Sequence, residues 1–595
     1  GGITGRLYQQ FSITIAVSVI ISAFNALTLS PALCSLLLKK RPEKTKGFFG
    51  AFNRWSDRKM DGYMNFTSVL TRHAARSFIL IAVVAAAIFG MTRLLPGGFL
   101  PEEDQGYLMV AVNLPDAASL SRTQVSMQEI EAIIKARPDV EHVASAAGFN
   151  MLAGIATSNS GIVFVTLTDY NKRKYSAMEI ADQLNGELYI AVPSAEAYAF
   201  GPPSIPGLGI TSGMSLMVQD KGGNSVGYLA DYTRKFIEAA KQRPEIATIS
   251  TQFDDGIPQR HIRIDEQYAL REGVSLDELH QLLTTYLGGA YINNFNRFGK
   301  LYQTYIQAES EYRQNKENLN SYFVKNADGK SVPISAFVTV EDTVGVEYIT
   351  QFNLFRSIAV NASQSRGYST AQGMAALEEV AEEVLPQDMG IAWSGMSYQE
   401  ESASSSGNAV YVIALVFVFL CLAALYNSWA LPLSILLGVP FAVFGAMIFV
   451  LCAHYVNPVY VDNLFMQISL IMLIGLAAKN AILIIEYANR LFFEQGKSLA
   501  EAAMGAARLR VRPIIMTAFA FILGVLPLVF ASGAYSSARN VMGVALVGGM
   551  LIATILGIFV YPLLYLVVAK AARFDRKREL QTQEEQNYGN NGIQG

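Results

Sequence analysis

Long apolar runs alternate with short polar stretches along the chain, and one large polar block interrupts them. A helix needs about 20 apolar residues, at a rise of about 1.5 Å each, to cross the hydrocarbon core of a bilayer. The predicted spans cover residues 11–38, 78–95, 409–426, 431–453, 464–488, 513–531 and 541–569. The pattern therefore predicts a polytopic α-helical membrane domain of seven spans, and a soluble domain formed by residues 96–407.

Positive charges lie in alternate loops between these runs. Lys and Arg cluster in the loop 39–77, the loop 489–512 and the tail 570–595, whereas the two short opposite loops carry only Arg539. Because such clusters mark cytoplasmic loops, we expect residues 96–407 to lie outside the cytoplasm. Apolar residues in the loop 39–77 recur at helical spacing. This predicts an amphipathic helix on the inner membrane surface, with a packed pair of cytoplasmic helices as the alternative.

The polar block alternates β-rich runs with amphipathic helices, and part of it is repeated. The segment IEAIIKARPDVEHVAS, which begins at Ile130, resembles IEAAKQRPEIATIS, which begins at Ile237. The repeat predicts a large α+β domain built of split β-α-β units with one inserted subdomain. The predicted boundaries are 96–213 for the first unit, 214–258 with 348–407 for the second, 259–347 for the insert and 408–569 for a five-span bundle.

The composition excludes several classes of function. The 595 residues are 51% hydrophobic and 16% charged, with a formal net charge of −3, which argues against a nucleic-acid partner. The three cysteines lie in apolar runs and the five histidines are scattered, so we expect no metal site and no disulfide framework. No phosphate-binding loop is present, so we expect no nucleotide cofactor, and any work that the protein does must draw on another energy source. The chain opens GGITGRLYQQ without a Met, and we interpret it as the carboxyl-terminal portion of a longer protein.

One charged residue, Lys479, lies near the middle of the predicted span 464–488. A lysine at that depth costs roughly 3 kcal/mol, and an ionisable residue inside a span indicates a functional site by default. Alternatively its side chain reaches water along its own stem, but Arg490 at the cytoplasmic edge lies roughly 16 Å away. Asn480 follows directly, and Glu486 lies about two turns further on the same face. We therefore expect a buried, functional charge.

Lys479 needs partners that orient or neutralise it. In the next span Arg510 marks the inner edge and Thr517 lies roughly 10 Å above it, at a depth similar to that of Lys479. The Thr517 hydroxyl could orient a proton or a water; alternatively it only bonds back to a carbonyl of its own helix. No Asp occurs at mid-depth in the seven spans. We therefore expect the counter-ion to come from a segment that precedes residue 1.

A loop rich in Gly, Ser and Asn carries apolar side chains that loops do not usually expose. Phe149 and Met151 lie in this loop, GFNMLAGIATSNSG, and Phe164, Tyr198 and Phe200 lie in predicted strands. Aromatic and Met side chains provide an adaptable surface for apolar ligands. The alternative is ordinary core, which applies best to Phe164 because its strand is apolar on both faces.

Several motifs extend along essentially the whole chain: GGITGRLYQQFSITI, LTLSPALC, LPEEDQGY, GMSYQEE, FLCLAALYNSW, GLAAKNAILIIEYA and RLRVRPIIMTAFAFILGVLPL. With them the chain resembles the inner-membrane subunit of resistance-nodulation-division (RND) multidrug efflux pumps of the hydrophobe/amphiphile efflux branch. The resemblance implies a homotrimer in the bacterial inner membrane, with a large periplasmic domain, driven by proton influx. It also implies export of amphiphilic drugs from the periplasm and outer leaflet, through a periplasmic adaptor protein and an outer-membrane channel.

The resemblance assigns roles to individual positions. Lys479, Arg510 and Thr517 match proton-relay positions, with Asn480 beside them, whereas the relay aspartates would precede residue 1. The positions that match the deep aromatic binding pocket are Phe149, Met151, Phe164, Tyr198 and Phe200, with 148–161 as its switch loop. The insert resembles half of the family's docking subdomain.

Departures from the family leave the substrate range open. Met151 and Ala144 stand where relatives often have Phe, and the loop is about two residues longer than in some relatives. Three alternatives stand beside the proton/drug antiporter. They are a metal-exporting relative, for which the sequence shows no Met or carboxylate cluster, a non-transporting membrane sensor or assembly protein, and a half-transporter that is inactive alone.

Overall fold

A computed structural model describes residues 2–38, 47–72, 74–365 and 367–574. The chain divides into two compact units. The first comprises Gly1–Leu114, Ser119–Gln252 and Thr350–Gly595, and the second comprises Pro115–Ala118 and Phe253–Ile349. Most of the predicted cytoplasmic tail and part of the loop 39–77 lie outside the described residues.

Helices account for all the long apolar segments and alternate with strands in the soluble part. Their bounds are α1 Gly2–Leu37, α2 Gly47–Arg72, α3 Ala74–Leu94, α4 Leu120–Lys135, α5 Ala177–Ala191, α6 Val226–Ala240, α7 Glu266–Arg271, α8 Leu276–Leu283, α9 Thr370–Val384, α10 Gly395–Tyr426, α11 Leu431–Leu436, α12 Val439–Val456, α13 Leu464–Phe493, α14 Leu499–Val529 and α15 Ser536–Ala571. Several begin at a Ser that caps the first turn. Ser176 with Glu179 and Ser498 with Glu501 form complete capping boxes, which satisfy backbone N–H groups that lack a partner within the helix.

The strands all lie between α3 and α10. Their bounds are β1 Tyr107–Asn113, β2 Val140–Ala147, β3 Ser160–Leu167, β4 Glu196–Phe200, β5 Met214–Asp220, β6 Ile246–Thr251, β7 Ile257–Ile264, β8 Ala290–Arg297, β9 Lys300–Ile306, β10 Phe323–Lys325, β11 Ser331–Pro333, β12 Val338–Gly345, β13 Thr350–Phe352, β14 Phe355–Gln364 and β15 Met389–Trp393. The soluble part is therefore rich in sheet, as predicted from its β-rich runs.

Two antiparallel sheets belong to the first unit. The first sheet has the order β2-β3-β1-β4, and the second has the order β13-β14-β5-β15, with β6 also paired to β14. In chain order the first reads β1-α4-β2-β3-α5-β4, and the second reads β5-α6-β6-β14-α9-β15 with β13 before β14. With β13 left aside, one helix follows the first strand of each sheet in chain order, and the other helix follows the third strand.

The second unit contains three two-stranded sheets, β7 with β12, β8 with β9 and β10 with β11. Its core lies between α8 and the turn before β12, where Leu279, Ile334 and Phe337 are buried. Both strands of the β8–β9 hairpin are exposed along their whole length except at Ala290.

Five helical segments among the described residues are long and apolar enough to cross a membrane: Gly2–Leu37, Leu431–Val456, Leu464–Phe493, Leu499–Val529 and Ser536–Ala571. Two shorter apolar segments, Ile79–Leu94 and Val410–Tyr426, coincide with the two other predicted spans. Because each is shorter than the roughly 20 residues that a bilayer needs, the predicted count of seven is not confirmed by length and apolar content alone.

The helices begin earlier than the apolar pattern predicted. Helix α10 begins at Gly395 rather than at 409, and α14 begins at Leu499 rather than at 513. In α14 the cap at Ser498 sets the start, and Pro513 is accommodated inside the helix. Hydropathy reports where a helix is apolar, whereas capping residues decide where it begins.

Glycines allow the membrane helices α12 and α15 to pack closely. A Cβ atom on Gly445 would lie 2.5 Å from the carbonyl oxygen of Gly548, so only glycine permits this approach. Helix α2 is a single helix that packs against α14 and α15, a contact that leaves both alternatives for the loop 39–77 open. The Tyr63 hydroxyl of α2 donates a hydrogen bond of 2.8 Å to the carbonyl of Ile558 in α15. Within α15 that carbonyl would accept from residue 562, but Pro562 has no N–H to donate.

Candidate functional site

The first sheet has one face covered by helices and one face without them. A Cβ atom on Gly161 would clash with Met127 of α4, and Gly161 pairs with Val112. This places Val112, Val110 and Leu108 on the helix-covered face, because alternate residues of a strand share a face. All three are fully buried.

The opposite face carries the aromatic residues that the sequence singled out. Met109 pairs with Phe164 on one side and with Phe200 on the other. Two residues further along β1, Ala111 pairs with Ile162 and with Tyr198. Directly paired residues of antiparallel strands point to the same face, so the helix-free face, called the aromatic face below, consists of Phe164, Tyr198, Phe200, Met109, Ala111 and Ile162.

Burial divides the aromatic face into an open and a covered part. Phe164 is 40% exposed and Tyr198 is 42% exposed, whereas Phe200 is only 3% exposed. The rings of Tyr198 and Phe200 are stacked with their centroids 6.1 Å apart. The interpretation of Phe164 as ordinary core is therefore wrong within this chain. Phe200 was predicted as a binding residue together with Phe164 and Tyr198. It is buried, and its ring stacks against the ring of Tyr198.

The loop 148–161 covers part of the aromatic face. Met151 and Leu152 pack on the buried cluster that contains Met109 and Phe200. Phe149, in the same loop, is 40% exposed. Met151 is thus half-buried against the face, whereas the Phe149 side chain is partly exposed.

A buried asparagine organises this loop. The backbone N–H groups of Gly154 and Ile155 donate to the carbonyl oxygen of Asn150, and that of Ala153 donates to its Oδ1 at 3.0 Å. The Nδ2 atom of Asn150 donates to Gln252 Oε1 at 3.1 Å, an acceptor shared with Asn113 Nδ2 at 2.8 Å. Sequence reasoning missed Asn150, since an Asn in a Gly-rich loop is ordinary turn chemistry.

Lys479 lies on an exposed face of α13. Gly475, Lys479 and Glu486 are exposed, whereas Ala478 and Asn480 are buried. Within the residues that the structure describes, Lys479 makes no ion pair and no hydrogen bond. The expectation of a buried charge is therefore not met inside this polypeptide, because Lys479 occupies the face of α13 that the other described helices leave open.

The other predicted relay residues have partners of their own. Asn480 is buried and its Nδ2 donates to Thr554 Oγ1 of α15 at 3.4 Å, and its Oδ1 has no partner in the described chain. The Arg510 guanidinium lies over the Tyr487 ring, 4.7 Å from its centroid.

Thr517 donates to the carbonyl of Ile514 in its own helix at 3.1 Å, which is the alternative foreseen for it. No described hydrogen bond joins Lys479, Arg510 and Thr517 to one another. Thr554 and Tyr487 were missed, because their roles depend on how α13 packs against its neighbours.

Comparison with known proteins assigns the chain to a family. The model of the AcrB/AcrD/AcrF family matches residues 1–569. The toluene efflux pump membrane transporter TtgB of Pseudomonas putida is 37% identical over 577 residues, which are 96% of this chain and 54% of that protein. The multidrug export protein AcrF of Escherichia coli is 35% identical over 580 residues, which are 96% of this chain and 55% of that protein.

A further relative, the multidrug resistance protein MdtF of Escherichia coli, is 34% identical over 584 residues, which are 97% of this chain and 56% of that protein. The chain thus spans about half the length of the curated relatives it matches. Because the family model and the relatives cover nearly the whole chain, the protein belongs to the AcrB/AcrD/AcrF family of RND multidrug efflux transporters.

Proposed function

We propose that the chain forms part of a proton-driven pump that exports amphiphilic drugs and solvents from the periplasm and the outer leaflet of the inner membrane. The observation that carries this proposal is the aromatic face of the first sheet. Phe164 and Tyr198 are large, apolar and exposed, and the loop that packs on this face carries a further exposed ring, Phe149. Such a surface binds varied apolar ligands with little geometric demand.

Lys479 supports protons as the energy source. It is an ammonium group in the middle of an apolar helix, a position that proteins retain for ion pathways and relays. Its place on the open face of α13 favours a counter-ion from outside this chain. We assign Asn480, Arg510 and Thr517 to positioning roles around it, and the carboxylates that exchange the proton to the remaining half of the pump.

The membrane topology follows from the same proposal. The two shorter apolar segments, Ile79–Leu94 and Val410–Tyr426, join the five longer ones to give seven spans. Clusters of Lys and Arg then lie on the cytoplasmic side. The sheets of the first unit, with their matching order of strands and helices, are two copies of a split β-α-β unit.

The assembly is that of a homotrimer in the bacterial inner membrane that meets a periplasmic adaptor protein and an outer-membrane channel. The second unit, which overlaps the insert predicted at 259–347, supplies the docking subdomain. Its exposed β8–β9 hairpin is rich in Tyr and Phe, residue types that are enriched in protein interfaces.

The chain spans about half the length of the curated relatives it matches, and that span does not favour a half-transporter that is inactive alone. Nothing in the described part of the chain favours a sensor or an assembly factor.

The test is drug-dependent proton movement in proteoliposomes that contain a full-length pump with this chain as its carboxyl-terminal half. Lys479→Met should reduce drug-dependent proton uptake at least about tenfold, because an apolar side chain cannot hold a charge beside the relay. Lys570→Met is the matched control, since Lys570 is exposed at the end of α15. The proposal is wrong if the two variants transport equally well. Transport by this chain alone would exclude the half-transporter.

A further inference from the structure

Three consecutive acidic residues in the LPEEDQGY motif contact three different parts of the first unit. The middle one, Glu103, is 8% exposed. Its carboxylate accepts hydrogen bonds from the backbone N–H groups of Ala538 at 2.7 Å and Ser537 at 3.1 Å. These two residues form the first turn of the membrane helix α15.

Helix α15 has no cap from its own sequence. Tyr535 precedes it with a positive φ of 56°, and no side-chain hydrogen bond caps the helix there. A carboxylate at this end satisfies N–H groups that have no partner within the helix, and it complements the helix dipole. Burial raises the pKa of the Glu103 carboxyl, while its hydrogen bonds and the nearby Arg539 oppose that shift. Glu103 therefore supplies, from more than 400 residues away, the cap that α15 lacks.

The residues on either side of Glu103 bind the two sheets. Glu102 Oε1 accepts from Gln364 Nε2 at the end of β14, at 3.0 Å. Asp104 Oδ1 accepts from Arg173 at 2.7 Å, and its Oδ2 accepts from the backbone N–H of Ala177, the first residue of α5, at 2.8 Å. Glu102 thus contacts the second sheet, and Asp104 contacts the loop and the helix α5 that follow β3 of the first sheet.

The segment just before the motif contacts the helix that carries Lys479. The backbone N–H of Asp462 donates to the carbonyl of Pro96 at 2.9 Å, and that of Leu464 donates to the carbonyl of Phe99 at 3.1 Å. Leu464 is the first residue of α13. Residues 96–104 therefore connect the outer ends of α13 and α15 with both sheets.

We infer that residues 96–104 form the mechanical joint between the membrane helices and the two sheets, and that Glu103 is the positioning residue that ties α15 to it. This inference rests on the proposed proton/drug antiport. A displacement of α15 reaches this segment through the hydrogen bonds of the Glu103 carboxylate, and a displacement of α13 reaches it through backbone hydrogen bonds. Without Glu103, α15 loses its direct hydrogen bonds to the segment.

The experiment uses the full-length pump with Glu103→Ala and Glu103→Gln. Hydrogen exchange should report on the cap first, because Ser537 and Ala538 lose their acceptor in the Ala variant. We expect their exchange to accelerate at least about tenfold. The Gln variant keeps one carbonyl oxygen and should restore part of the protection. Wild-type protection of both amides in Glu103→Ala would overturn the inference.

The second readout is the number of protons taken up per drug molecule exported. Glu103→Ala should raise this ratio at least about fivefold, a loss of coupling that corresponds to about 1 kcal/mol, because protons then move without driving the sheets, while the drug Kd stays within twofold of wild type. Glu501→Ala is the matched control, because Glu501 caps α14 within its own helix and connects it to no sheet. An unchanged proton-to-drug ratio in Glu103→Ala, or an equal loss in Glu501→Ala, would overturn the inference. Failure of the proposed function would instead appear in the wild-type pump, as proton uptake that does not respond to drug.

Discussion

The aromatic face of the first sheet and the Lys479 face of α13 are both open surfaces, but the chain builds them differently. Three strands and a loop bring the aromatic side chains together, and the stack of Tyr198 on Phe200 holds part of the face in place. The Lys479 face comes from a single helix, and the residues predicted to assist the lysine bond elsewhere. The aromatic face is therefore assembled within this polypeptide, whereas Lys479 has no hydrogen-bond or ion-pair partner among the described residues.

The largest expected effect is a loss of stability that differs between the covered and the open part of the aromatic face. Phe200→Ala should lower the free energy of unfolding by about 4 kcal/mol, because it removes a buried ring and leaves a cavity. Phe164→Ala should cost only about 1 kcal/mol, because that ring is partly exposed, yet it should weaken drug binding several-fold. Thermal unfolding in detergent and fluorescence titration with a dye would measure the two quantities. Equal losses of stability would show that the face is not divided in this way.

A smaller effect compares the packed and open sides of the membrane helices. Gly445→Ala should cost about 2 kcal/mol, because the new methyl group meets the backbone of Gly548. Gly475→Ala, one turn from Lys479, places its methyl group where nothing lies within 4 Å. It should leave stability unchanged or raise it by up to about 1 kcal/mol through helix propensity. Both are read from thermal unfolding of the purified protein. A loss of stability at Gly475 would mean that this face of α13 is covered.

The smallest effect concerns the loop that leads into α13. Burial raises the pKa of the Asp462 carboxyl from 3.8 to about 6, although a hydrogen bond from Gln467 opposes the shift. The folded protein therefore favours the protonated acid. Its stabilising contribution is complete below about pH 4 and is lost as the pH rises through about 6. In Asp462→Asn the midpoint of thermal unfolding should depend less on pH between pH 4 and 7 than it does in the wild type. An unchanged dependence of the midpoint on pH would contradict the raised pKa of Asp462.

Much of the secondary structure could be predicted from the sequence. The pattern of apolar residues predicted the alternation of β-rich runs with amphipathic helices between residues 96 and 407, and the structure confirms it. The position of Lys479 in an apolar run is visible in the sequence itself, but its exposure on α13 is not. Helix ends were predicted less well, since α10 and α14 extend beyond their apolar parts into polar turns, and of the two only α14 begins at a side-chain cap.

The contacts between distant parts of the chain could not be predicted. Alternation within β4 puts Tyr198 and Phe200 on one face, but only the pairing of β1 with β3 and β4 shows that Phe164 shares it. The LPEEDQGY motif marked the family, but nothing in its letters indicates that Glu103 caps a helix that begins at Ser536. The sequence by itself determined which segments are apolar, which are helical and which residues carry charge, because these are local properties. Only the tertiary structure decided which of those residues meet, because such contacts depend on strand register and helix packing across hundreds of residues.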